Sequence, residues 1–153
     1  MKREAFQDLG PVRSCFGCGA DNQKGLQIKS YWDRDEAVCL WQPRPYHCGG
    51  SKAFVYGGIL ASIMDCHSVN LAVARAYKRE GRTIGSMPQI FFVTAKLEIS
   101  FVLPTPMGVP LELRAKLTKV EGRKSWVSCV LTAAGRIRAK AEVLAIRVQR
   151  EEE

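Results

Sequence analysis

Apolar and polar positions change period twice along the chain, and the changes mark out its elements. Leu26, Ile28 and Ser30 alternate with polar residues into Trp32. After Asp33-Arg34-Asp35-Glu36 the alternation resumes through Val38, Leu40 and Gln42. Two period-two runs joined by a polar turn predict a β-hairpin. Residues 43–55 hold two prolines and the pair Gly49-Gly50, and read as loop. From Gly58 to about Arg79 the period lengthens: Ile59, Leu60, Ile63, Met64, His67, Leu71 and Ala74 recur three and four residues apart, with no proline. This predicts an amphipathic helix, rich in apolar and small residues in its first half and largely buried, with Gly81 placed to stop it. Period two then returns. Phe91, Val93, Ala95, Leu97, Ile99, Phe101 and Leu103 alternate within Ile90–Leu103, which Pro104-Thr105-Pro106 and Met107-Gly108 turn around. Val109–Val120 alternates through Leu111, Leu113, Ala115 and Leu117. Gly122-Arg123 and Gly135 then delimit strands at Trp126–Thr132 and Ile137–Val148. The order β-β-α-β-β-β-β, without repeats, predicts an α+β domain in which one long helix packs on a curved antiparallel sheet.

Composition sets the limits of this picture. At 153 residues, 46% hydrophobic and 25% charged, the chain suits one domain with a substantial core. The apolar stretch Val55–Met64 is too short for a membrane span. Met1–Asp8 mixes charges and lacks the apolar centre of a secretory signal, so a cytoplasmic location is expected. In that compartment the six cysteines are expected as thiols. The net charge of +8 calls for an anionic partner. The basic residues form no dense block and do not interleave with aromatics, which argues against a nucleic-acid platform and leaves a polyanionic small ligand.

The segment Val55-Tyr56-Gly57-Gly58 through Asp65 carries the most chemistry. Glycines at a helix start admit a ligand close to N–H groups that lack intrahelical acceptors, where the helix dipole is positive. Such donors suit a carbonyl becoming an oxyanion and are worth roughly 3–4 kcal/mol in acyl transfer. Asp65, two turns on along a mostly apolar face, is a carboxylate in need of a reason. Gly58 and Asp65 stand ~10 Å apart along one helix, too far to act easily on one thioester carbonyl. If both act on the same substrate, the second comes from another subunit, which implies a site shared in a symmetric dimer.

Taken in order, Cys15-Phe16-Gly17-Cys18-Gly19, Lys24-Gly25-Leu26, Gly57-Gly58 to Asp65, and Thr94-Ala95-Lys96-Leu97-Glu98-Ile99-Ser100-Phe101 to Pro104 cover most of the chain. In motif and spacing it resembles the hotdog-fold acyl-CoA thioesterases of the PaaI-like branch of the 4-hydroxybenzoyl-CoA thioesterase superfamily. The resemblance implies a loop segment with the C-x-x-C at residues 1–25 and a hotdog domain at 26–150, its helix wrapped by the sheet. It implies homodimers or homotetramers, an acyl-CoA or aryl-CoA substrate, and no cofactor. Gly57 or Gly58 would supply the oxyanion N–H, Asp65 of the partner subunit the base or nucleophile, and Thr94 the hydroxyl that orients it. The family usually reads His-Gly-Gly, whereas this chain has Tyr56-Gly57-Gly58. A phenol donates a hydrogen bond but does not replace imidazole as a neutral-pH base. Tyr56 and His47 are therefore candidate substrate-binding residues, and a hotdog module that binds acyl-CoA without turnover is the alternative function.

Other constellations weigh less. Cys15 and Cys18 with His47 and Cys48 have permissible zinc spacing, but a whole predicted hairpin separates the pairs. In the resembling family the same motif is a strand-entry loop, and no metal is expected. Cys66-His67 are adjacent helix residues whose side chains diverge by about 100°, so they read as a core thiol and a packing histidine rather than a nucleophile and its base. Trp41 and Trp126 are expected in the core or at a subunit interface.

Overall fold

The computed structural model describes residues 3–150. Its elements are α1 (Phe6–Leu9), β1 (Tyr31–Asp33), β2 (Glu36–Trp41), α2 (Gly57–Arg79), β3 (Phe91–Phe101), β4 (Leu111–Glu121), β5 (Lys124–Ala133) and β6 (Arg136–Val148). The strands form one antiparallel sheet in the order β1-β2-β4-β5-β6-β3. Its concave face wraps α2, as the sequence pattern predicts. α2 is long and apolar enough to cross a bilayer by length and composition. That apolarity is used inside the protein: Leu60, Ile63, Met64, Leu71 and Ala74 all lie in the core. Gly81, with φ +67°, ends the helix. Its N–H bonds to Lys78 C=O and that of Arg82 to Tyr77 C=O, the pairing of a Schellman cap.

The sheet curves around the helix because of where its small side chains fall. Ala37, Ala115, Cys129 and Ala141 are successive partners across β2, β4, β5 and β6, and all are buried. This row presents small side chains to the helix, where Ser68 faces Cys129. It also explains why β2 differs from its expected phase. Ala37, Cys39 and Trp41 face inward, while Leu40 is 68% exposed. A one-residue shift would set Val38 in the row in place of Ala37, and in the observed phase Trp41 gains an indole N–H bond to Leu26 C=O at 2.9 Å. Trp126 likewise lies outside the core, on the outer face under Lys119, because Ser125 and Val127 take the inward positions.

Two further differences have local causes. The first strand is short because Leu26 and Ile28, though buried, bond to Phe16 C=O and Gly17 C=O of the cysteine loop instead of to a strand. In β3 the predicted strict alternation is broken by a bulge at Ala95, where Thr94 pairs Ala145 and Lys96 pairs Leu144. β3 pairs only with β6, so among the described residues its other edge is free. Val93 and Phe101 on it are 49% and 57% exposed.

The short helix α1 gave no sequence signal. It is held by a buried polar chain. His67 on α2, with no exposed surface, donates Nε2–H to Ala37 C=O at 3.0 Å. Its Nδ1 is therefore the acceptor for the Ser30 hydroxyl at 2.7 Å. Gln7 completes the chain by donating its amide to Ser30 Oγ at 2.9 Å and accepting the Ser30 N–H at 2.8 Å.

Burial holds the His67 ring neutral, its pKa lowered from 6.5 to about 4. The unfolded chain binds this proton below about pH 6.5 and the folded chain only below about pH 4. The contribution is thus complete above pH 6.5 and lost as pH falls through that window, by roughly 3 kcal/mol. Urea unfolding at pH 7.5 and pH 4.5 measures this slope, and a His67→Gln protein, which cannot titrate there, will show less of it.

Candidate active site

The buried face of α2 determines what its other faces present. Ile63, Met64, His67 and Ser68 are committed to the sheet, so Asp65 and Cys66 turn toward β3 and the N-terminal segment. Asp65 is half-buried and accepts a hydrogen bond from the Thr94 hydroxyl at 2.6 Å. Burial pushes its carboxyl above the usual carboxylate range, and the Thr94 bond holds it back. The Ala95 bulge lies next to Thr94 and re-aims that end of β3 toward the helix.

Asp65 and Thr94 line a cleft of about 300 Å³, with Val69, Val73, Ile90 and Phe92 on its apolar walls. Among the described residues that line it, Arg150 is the one cation. The volume lies at the small end of those seen for ligand sites, and the wall chemistry suits a compact acyl or aryl group.

The helix start forms a separate place on the same chain. Tyr56 is the N-cap residue and offers no side-chain cap. Its carbonyl accepts the Ile59 and Leu60 N–H groups. Among the described residues, the Gly57 and Gly58 N–H groups have no acceptor. A side chain at Gly58 would meet the Tyr56 ring at 2.5 Å, so the phenol lies directly against it. The Phe101 ring comes within 3.5 Å of the Cβ position at Gly57. Gly57 and Phe101 line a second cleft of about 300 Å³ with Phe54, Val102 and Leu103. The structure therefore brings Asp65 to Thr94, and Tyr56 to Gly57 and Gly58, and keeps the two groups apart on one chain.

His47 joins neither cleft lining. It ends a 3-10 turn at Pro45–His47, lies against Trp41 and Tyr46, and accepts the Arg44 N–H on Nδ1 at 2.9 Å. Burial, and next the Arg44 charge, lower its pKa. Its carbonyl accepts the Tyr56 N–H, so its visible task is to fix the chain entering α2.

Sequence reasoning missed one grouping at the cleft. Cys15 and Cys18 meet Cys66, all three sulfurs lying within 4.8 Å of one another, whereas Cys48 pairs with Val55 elsewhere. The hydrogen bond from Cys66, helped by Asn70 and Cys15, lowers the Cys18 thiol to about 6. The bond to Cys18 and burial push Cys66 up. The available signal was the pair of glycines that flank Cys18, Gly17 and Gly19. A side chain at Gly17 would meet Cys66 Sγ at 2.4 Å, and one at Gly19 would meet the Cys15 backbone at 2.5 Å.

With this geometry described, the similarities to known proteins are informative. Residues 53–140 match the family model described as Thioesterase superfamily. The acyl-coenzyme A thioesterase THEM4 of Xenopus laevis is 31% identical over 107 residues, covering 69% of this chain and 42% of the relative. The chain thus spans less than half of that relative's length. A thioesterase superfamily protein from Shewanella loihica PV-4 superposes with a TM-score of 0.63 at 35% identity, covering 80% of this chain and 91% of the other. The E. coli PaaI protein superposes at 0.65 with 16% identity, covering 81% of each chain, and so shares the fold.

Gly17→Ala tests how the cysteine loop is seated. With its Cβ 2.4 Å from Cys66 Sγ, the variant will lose about 1–3 kcal/mol in denaturant unfolding.

Proposed function

We propose that this chain, which belongs to the thioesterase superfamily, hydrolyses an acyl-CoA or aryl-CoA thioester, with Asp65 as general base or nucleophile. The observation that carries the reading is Asp65 itself. It is a half-buried carboxylate that accepts a 2.6 Å bond from Thr94 at the edge of an apolar cleft. The hydroxyl leaves one carboxylate oxygen fixed and the other available to a water or a thioester carbon. Protonation of Asp65 abolishes either role, and its bond from Thr94 favours the ionised form at neutral pH. The oxyanion of the tetrahedral intermediate would take the Gly57 N–H, already directed outward at the positive end of α2.

The two groups meet when the free edge of β3 pairs with itself. Thr94 lies beside Asp65, and Phe101 beside Gly57, seven residues further along the strand. Antiparallel pairing of two β3 strands centred near Glu98, with the Ala95 bulge counted as one extra residue, brings Thr94 of one copy alongside Phe101 of the other. The same two-fold axis carries Gly57 of one copy toward Asp65 of its partner, making two composite sites per dimer. Exposed Val93 and Phe101 along this edge favour such a contact.

A second reading rests on Tyr56. Its ring lies against Gly58, where the resembling family carries histidine, and the protein could hold a CoA ester without turnover. Steady-state hydrolysis over a panel of acyl and aryl chain lengths separates the two. Asp65→Ala will lower kcat by about 10²–10⁴-fold while CoA-ester binding persists. Equal inactivity of wild type and variant, with binding retained, supports the binding module.

The composite site has its own test. Gly57→Pro deletes the N–H at the first helical position, where proline's φ fits. Mixed one to one with Asp65→Ala protein and allowed to exchange subunits, it will recover about a quarter of wild-type activity, because half the dimers are mixed and each holds one intact site. No recovery would place both groups on one chain.

A further inference from the structure

Six cysteines occur in the chain, and five of them fall into two groups in the described structure. Cys39 and Cys129 are fully buried core residues on inward positions of β2 and β5, their thiols pushed up by burial to about 11 and about 12. They pack as small apolar side chains. Cys15, Cys18 and Cys66 differ. They come from two segments far apart in sequence, converge on one point, and all line the cleft that also holds Asp65 and Thr94. The proposed hydrolysis uses none of them.

The convergence is built from the backbone. The Cys15–Gly19 turn closes through Gly19 N–H to Cys15 C=O at 2.8 Å. Phe16 and Gly17 C=O are held by the Leu26 and Ile28 N–H groups. Only glycine fits at 17 and 19, since a side chain would strike the Cys66 sulfur in one case and the turn's own backbone in the other. From the other side, Asn70 donates to Cys66 C=O at 2.7 Å. The loop is thus pressed onto the helix at the sulfur atoms and held there by backbone and amide bonds, with Asp65 the nearby charged side chain.

The spacing has a chemical meaning. A metal–sulfur bond of about 2.3 Å in tetrahedral geometry places ligand sulfurs about 3.8 Å apart. Cys15 Sγ and Cys66 Sγ are 3.8 Å apart. That is too long for a disulfide and matches the edge of a thiolate coordination shell. We propose that Cys15, Cys18 and Cys66 form a three-thiolate site for a soft closed-shell metal ion, zinc(II) or copper(I). Three thiols give up their protons to solvent as three metal–sulfur bonds form, and no electron changes hands. Zinc retains an open fourth position, whereas trigonal copper(I) needs none. The sulfurs line the cleft wall, so the fourth zinc ligand is a water or solute from the cleft.

The site does not depend on the hydrolytic reading, and its test reads metal directly. The whole chain, reduced and stripped by chelator without air, is titrated with cobalt(II) as the optical stand-in for zinc. One equivalent will bind with intense thiolate-to-cobalt charge-transfer absorption, and zinc(II) will displace it. Copper(I), presented by a competing chelator, forms the second arm. Uptake of copper without cobalt or zinc supports the site and assigns its ion. Cys15→Ser, in the half-exposed loop, and Cys66→Ser will each weaken uptake by more than about 100-fold, while Cys48→Ser leaves it unchanged. Should a serine variant misfold, alkylation mapping of the wild type gives the same answer, since bound metal will shield Cys15, Cys18 and Cys66 together and leave Cys48 reactive. Absence of any stoichiometric uptake overturns the proposal. So does uptake that is indifferent to Cys15 and Cys66 in folded variants, or protection confined to other cysteines.

Discussion

His67 sits in the middle of α2 with both ring nitrogens occupied and no water in reach of its surface. One nitrogen reaches β2 through Ala37 C=O, and the other reaches Ser30 and through it Gln7. A neutral imidazole donates at one nitrogen and accepts at the other, which is what this span asks for. Every partner is satisfied, so the chain of bonds costs little in place and much to break. Three segments distant in sequence are thereby locked in one rotation about the helix axis. That rotation faces Asp65 toward Thr94 and Cys66 toward the cysteine loop. The chemistry on the outer side of α2 inherits its precision from a polar contact on the inner side.

The same helix keeps apart two features that acyl transfer requires together. Its first residues offer N–H groups and its third turn offers a carboxylate, and the rigid rise between them fixes a gap that no rotamer closes. Strand β3 runs beside both, with Thr94 at one and Phe101 at the other. In the dimer proposed above, a two-fold axis on the strand's free edge would turn a separation within one chain into a proximity between two. That dimer rests on the spacing of groups along one helix, whereas the superfamily membership bears on the family alone.

Long periodic signals were legible in the sequence because each element answers to one dominant force. The helix over 57–79 and strands β4 to β6 read correctly where burial alone sets the pattern. The phase of β2 did not, because Ala37 and Cys39 are inward for reasons of helix approach, and a hydropathy pattern favours the larger Val38 and Leu40. Trp126, expected in the core or at a subunit interface, lies on the outer face with a cation over its ring. Bonding between Leu26, Ile28 and the cysteine loop mimics a strand's alternation without a strand. Asp65 and the helix-start glycines stood out as candidates because their residue types are unusual at those positions. The three-sulfur cluster was not, because proximity between residue 66 and residues 15 and 18 is a product of tertiary packing, and no spacing along the chain encodes it. His47 stood out as a residue type, and the structure sets it in a local turn against Trp41 and Tyr46.

The row of small side chains across the sheet has a consequence for how such a protein can diversify. Ala37, Ala115, Cys129 and Ala141 define the distance from sheet to helix, and none of them lines the cleft beside Asp65. The cleft's walls come instead from Val69, Val73, Ile90 and Phe92, on the opposite side of α2 and on the chain leading into β3. The scaffold dimension and the pocket dimension are thus written in separate sets of residues. Exchanging a valine for an alanine or a phenylalanine in the second set reshapes the volume open to an acyl group without moving the helix relative to the sheet. A lineage carrying this arrangement can change the length or bulk of what it accepts by drift in a few side chains, and retain an unaltered frame while doing so.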